Sequence, residues 1–143
     1  MSLEERVALP RDRKVIAEAG AAAIAAHVSA LGGLKGTAIK AGYATVNKAK
    51  PNLVHENLMR MLPKMAPKID PHYDAAVASG DVDGYFVLRA DVVANDLLEV
   101  TDERAAEANN AAAVKVYNKL RPSAQAQVVE AMPTIVKFIQ DNN

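Results

Sequence analysis

Apolar residues recur at intervals of three and four along most of the chain, the spacing of amphipathic helices. Pro10 sits where a first-turn proline starts a helix. From there Ile16, Gly20, Ile24, His27, Val28 and Leu31 fall on one side. Gly32-Gly33 ends that helix, since glycine takes the left-handed conformation of a helix terminus without strain. A second helix is predicted over 34–50, with Ala38, Ile39, Gly42, Val46 and Ala49 on its apolar side and Tyr43 on the flank. Pro51 opens a third, in which Val54, Leu58, Met61 and Met65 share a face. Residues 1–9 precede this pattern and read as a flexible N-terminal tail.

The pattern then breaks up. Pro63, Pro67 and Pro71 arrive every four residues. Each lacks an N–H and crowds the preceding turn, so no long helix is expected there. Asp70 before Pro71 reads as the N-cap of a short helix reaching Ser79. Ser79-Gly80-Asp81 reads as a loop, with Asp81 capping a short helix over 85–88. Asp91 caps the next, with Val93, Leu97 and Val100 inward. On a continuous helix from 92 to 120, these three would point roughly 140–180° away from Ala105, Asn109, Ala113, Val116 and Leu120. The phase change predicts a break near Thr101, with that residue as the next N-cap. A last helix follows Arg121-Pro122-Ser123 and buries Val128, Met132, Ile135, Val136 and Ile139, with Pro133 kinking or splitting it. No convincing period-two alternation exceeds four residues. The expected fold is all-α: a compact single domain over 1–143, built from six to eight helices, several of them short.

Composition narrows the chemistry. Half of the 143 residues are hydrophobic and 4% are aromatic, with 28 alanines and no Cys or Trp. That is too apolar for disorder by composition. Without cysteine there is no disulfide scaffold, thiolate zinc site, Fe–S cluster or Cys nucleophile. At this length about 70% of the unfolded surface is buried on folding, enough for a core without such staples. Arg11, Arg13 and Lys14 precede a weakly polar run from Val15 to Leu31, but Glu18 and His27 interrupt it, so a signal peptide is not expected. No segment is long and apolar enough for a membrane span, and the chain is expected in the cytoplasm.

The formal net charge is zero, from 17 bases and 17 acids. The zero hides a division. Residues 1–72 carry 11 bases against 6 acids, and 73–143 carry 6 against 11. From Lys35 to Lys68 the seven bases are Lys35, Lys40, Lys48, Lys50, Arg60, Lys64 and Lys68, with Glu56 the one acid. They could form a surface for an anionic partner, or the acidic half could fold against them. With a single Arg in the segment and only Tyr43 for stacking, nucleic acid is the weaker choice.

No catalytic motif stands out. His27, His55 and His72 are not paired at i+3 or i+4, and His55-Glu56 lacks the second histidine of a metalloprotease helix. His27, on an apolar side, reads as a hydrogen-bonded core histidine. Asp81-Val82-Asp83-Gly84 fails the calcium-loop template and reads as a capped turn. Asp96, Glu99, Glu103 and Glu107 would make an acidic ridge on a continuous helix, which the phase change opposes; they read as solvated faces. Asn109, on an apolar side, reads as a buried amide linking helices. Gly32-Gly33-Leu34-Lys35-Gly36-Thr37 shares letters with a phosphate-binding loop, but the order is wrong and a helix precedes it; a close helix–helix turn fits better. Ser29, Ser79 and Ser123 have no evident base partner. No metal or cofactor is expected.

Several phrases together carry a resemblance: Gly33-Leu34-Lys35-Gly36-Thr37-Ala38-Ile39-Lys40, Leu62-Pro63, Asp70-Pro71 and Leu120-Arg121-Pro122-Ser123-Ala124. In order and spacing they resemble a family of small all-helical actinobacterial proteins of unknown function, from about residue 10 onward. The resemblance implies one helical domain in the bacterial cytoplasm and no activity. The functional expectation is therefore a non-enzymatic helical domain that binds a protein partner or itself, as a homodimer. The alternative is an anionic ligand or nucleic acid held by segment 35–68.

Overall fold

The computed structural model describes residues 2–107 and 109–142, leaving aside the side chains of Val46 and Ala113. Among the described residues it is all-α, as expected, with eight helices: α1 Leu3–Ala8, α2 Pro10–Ala30, α3 Gly33–Ala49, α4 Leu53–Ser79, α5 Val82–Leu88, α6 Ala90–Ala106, α7 Ala111–Glu130 and α8 Met132–Asp141.

The centre is α4, which packs against α1, α2, α5 and α6. It runs unbroken through Pro63, Pro67 and Pro71, against the expectation of an irregular segment. The four-residue spacing is the reason. It aligns the three prolines along one side, where Pro67 and Pro71 are exposed. The missing N–H groups would have bonded Met59, Pro63 and Pro67, so the losses share that side too. The opposite side buries Leu62, Ala66, Ile69 and Ala76. Packing of that face outweighs intrinsic propensity. The predicted line of Val54, Leu58, Met61 and Met65 is only half-buried.

Residues 3–8 are not a tail. They form α1, with Leu3 and Val7 buried at 0% and 1% exposure. Its N-terminus is held by Ser2 Oγ, which accepts from the Glu5 N–H at 3.1 Å, and by Asp70. Asp70 does cap a helix, but not its own: its carboxylate accepts from the N–H of Leu3 (3.1 Å) and of Glu4 (2.9 Å). Arg6 Nη1 donates to the Asn142 carbonyl, fastening α1 to the end of α8.

Helix α2 starts at Pro10 and ends at Ala30, close to expectation. Only its first half is buried, through Ile16, Ala17 and Gly20; Ile24 is exposed. A Cβ on Gly20 would lie 3.1 Å from Leu58 and 3.5 Å from the Phe138 ring, so glycine lets α4 and α8 approach closely. The α2–α3 turn is the expected close turn. Gly33 has φ +74°, and a Cβ on Gly36 would meet the Leu31 carbonyl carbon at 2.9 Å. The predicted apolar side of α3 is not buried. Ala38, Gly42 and Ala49 are exposed and Ile39 is half-buried, while the Val46 side chain lies outside the description.

The helix does break, but between Ala106 and Ala111 rather than at Thr101. Thr101 stays inside α6, its hydroxyl donating to the Leu98 carbonyl at 2.7 Å. Val93, Leu97 and Val100 are buried as predicted. The second phase is not a core face: Asn109, Val116 and Leu120 are exposed, and the Ala113 side chain lies outside the description. Nor does Pro122 start a helix, since α7 continues through it to Glu130. The split comes at Ala131, with Pro133 in the first turn of α8, where Met132, Val136 and Ile139 are buried.

The core thus collects Leu3 and Val7, Ile16 and Ala17, Leu62 to Ala76 of α4, Phe86, Ala90 to Leu97 of α6, and Met132, Val136 and Ile139. Among the described residues, α3 contributes no side chain to it, and α7 only Val128 and Val129 near its end, half-buried against it.

Candidate functional site

The bases of the sequence divide in the fold. Lys35, Lys40 and Lys48 lie exposed on α3, and Lys50 follows it. Arg60, Lys64 and Lys68 form one line on α4, four residues apart. Lys68 faces α6 and is neutralised there: Nζ donates to Glu99 Oε2 at 2.8 Å. That bond and the nearby Glu99, Glu103 and Asp96 charges hold its ammonium above the usual lysine range. One turn on, His72 Nε2 lies 2.6 Å from Asp96 Oδ2. The acidic ridge is therefore continuous over Asp96, Glu99 and Glu103, contrary to expectation. Two of its members pair with α4, so the acidic half does fold against the basic half at this seam.

Arg60 and Lys64 stay out of that seam. They line a groove of about 850 Å³ with Arg13 of α2, Arg104 of α6 and Glu107. Met59, Met61, Pro63 and Val100 supply its apolar wall. Arg13 Nε donates to the Val7 carbonyl at 2.7 Å. None of the four bases has an acid within ion-pair distance among the described residues. Arg13 and Arg104 escaped the sequence reading because they lie 47 residues before and 44 residues after Arg60; only the packing of α2 and α6 on α4 unites them.

A second polar group ties α7 to α6. Arg121 grips Asp102 with two bonds, Nε to Oδ1 at 2.9 Å and Nη2 to Oδ2 at 3.2 Å. It also donates to Asn95 Oδ1 and Gln125 Oε1. Gln125 in turn donates to the Asp91 carbonyl. Tyr117 donates to Asp102 and lies 2.7 Å from Thr101 Oγ1. The Arg121 guanidinium holds the Asp102 carboxyl below its usual range, with Tyr117 adding to the effect. Burial and the adjacent carboxylate push the Tyr117 phenol up.

The remaining candidates lie apart. His27 Nδ1 is 3.4 Å from Thr134 Oγ1, between α2 and α8. His55 lines a separate cleft between α2, α3 and α4 with Glu18, Tyr43, Asn47 and Asn52, and its buried Nε2 has no hydrogen-bond partner among the described residues. Asn109 is exposed in the α6–α7 turn. Asp81 caps α5 through the Gly84 N–H at 3.1 Å. Among the described residues no group of three His, Cys, Asp or Glu is placed to hold a metal ion, and no helix is long and apolar enough to cross a membrane.

Fold and sites define a class: an all-α bundle in which, among the described residues, α3 and most of α7 lie outside the core and the polar chemistry is spread over separate surfaces. The chain belongs to the family of unknown function DUF6918, whose model matches residues 3–143. The match takes in α1, which the resemblance noted above did not reach. No curated protein and no solved structure matches the chain.

Proposed function

We propose that the protein is a non-enzymatic helical domain that associates with a second copy of itself through α7 and α3. The observation that carries this reading is the placement of those two helices. Both repeat apolar residues at helical spacing, yet among the described residues α3 adds no side chain to the core and α7 only Val128 and Val129 near its end. On α7, Val116 and Leu120 stand one turn apart at 57% and 56% exposure; on α3, Leu34 is 92% exposed. A helix face of this kind gains stability only by covering itself.

Charge supports a second copy as the cover. The outer helices are basic: α3 carries Lys35, Lys40 and Lys48 and no acid, and α7 exposes Lys115 and Lys119. The α5–α6 junction exposes Val87, Leu88 and Val92 beside Asp81, Asp83 and Asp91, with Arg89 the one base among them. A basic apolar face and an acidic apolar face on one chain are complementary between copies. In this reading the α3 lysines meet an acidic protein surface rather than nucleic acid, and the setting is the bacterial cytoplasm. Light scattering tests it. The wild type should exceed the 15.2 kDa of one chain, lose mass as salt rises, and become monomeric in the V116D/L120D variant. A monomer at every salt and protein concentration would overturn the reading.

A further inference from the structure

We infer that the groove between α2, α4 and α6 binds the phosphate group of a small organic phosphate. Arg13, Arg60, Lys64 and Arg104 line one cavity, with Glu107 the single acid. None of the four is neutralised by an ion pair among the described residues, whereas Lys68, the next base along the same line of α4, is. Gathering four cations against one carboxylate raises the energy of the fold unless an anion joins them. Three are arginines, whose planar fork matches the oxygens of phosphate in paired hydrogen bonds. The charge excess favours a dianion, which a phosphate monoester is for the most part above its second pKa of about 6.

The rest of the groove points to an organic body. Met59, Met61 and Val100 form a wall beside the bases, and methionine adapts its shape to an apolar group. The volume of about 850 Å³ lies in the range of small-molecule sites, roughly 300–1,000 Å³. The site is independent of the association proposed above, because it uses no residue of α3 or α7.

The test titrates the full chain with inorganic phosphate and with phenyl phosphate at pH 7.5 and constant ionic strength, read by calorimetry and amide chemical shifts. Both should saturate, with shifts centred on the start of α2, the middle of α4 and the end of α6. Phenyl phosphate should bind more tightly, by about threefold or more, since its ring covers apolar wall. R60Q and R104Q, changes at exposed positions, should each weaken binding about tenfold. The α3 variant K40Q/K48Q should leave it within about twofold if the groove and not overall charge is responsible. Failure to saturate by about 10 mM, wild-type affinity in R60Q and R104Q, or an equal loss in K40Q/K48Q would each overturn the proposal.

Discussion

Asp70 shows how far a single residue can be read. An aspartate before a proline announces a helix cap, and a cap is what Asp70 provides. Its recipient is the N-terminus of α1, 66 and 67 residues earlier in the chain. Side-chain chemistry was legible in the sequence; the partner was set by packing. The same holds for the groove. Arg60 and Lys64 were legible as members of a basic run, but Arg13 and Arg104 join them only through the crossing of three helices. Replacing Asp70 by Ala leaves two N–H groups of α1 without their acceptor. Loss of a helix cap typically costs about 1 kcal/mol, in a range of roughly 0.5–2. The urea midpoint of Asp70→Ala should fall accordingly, with proteolysis near residue 8 accelerated. An unchanged midpoint would mean that burial of Leu3 and Val7 alone docks α1.

Among the elements, the reading succeeded where one face is buried and failed where packing or hydrogen bonding replaced that rule. The inward positions of α6 and α8 were legible because both helices put an apolar stripe into the core. The length of α4 was not, because proline's local preference opposes a helix that four neighbouring helices hold. The polar side by which α7 meets α6 was not legible either, although the inward place of Val128 was. Helix α7 binds α6 through Tyr117, Arg121 and Gln125, while its apolar residues Val116 and Leu120 point outward. This attachment carries a pH signature. The native Asp102 carboxyl sits below its unfolded range, so it stabilises the fold fully above that range and ceases to do so as pH falls through the lowered value. Tyr117 sits above its unfolded range, so its contribution is full below that range and is lost as pH rises through the raised value. The urea-midpoint difference between wild type and Asp102→Asn should be largest near pH 6 and shrink toward about pH 3. A difference that stays constant across this interval would show that the Asp102 charge is not what holds α7.

At the scale of the molecule, six helices supply the buried core among the described residues, α7 touches it only through Val128 and Val129, and α3 does not. Zero net charge conceals a basic and an acidic half, and among the described residues the two meet along the α4–α6 seam, in the Lys68–Glu99 ion pair and the His72–Asp96 hydrogen bond. The α3 lysines and the acids of the α5–α6 junction remain outward, which is why charge and exposed apolar surface coincide on the same helices. This arrangement makes a statement about local stability. Amide exchange from a helix inside the core requires disruption of the core itself, whereas a helix fastened only at its surface opens in smaller steps. In dilute protein, the amides of α4 and α6 should exchange near the rate set by global unfolding. Those of α3 and of the first half of α7 should exchange at least about a hundredfold faster, equivalent to roughly 2.7 kcal/mol less protection. Raising the protein concentration should slow α3 and α7 while leaving α4 unchanged, because a second copy covers the two outer helices and not the core. Equal protection of all eight helices in dilute protein would instead make α3 and α7 full members of the cooperative fold. Protection of α3 and α7 that ignores concentration would remove self-association as the reason their apolar faces are exposed.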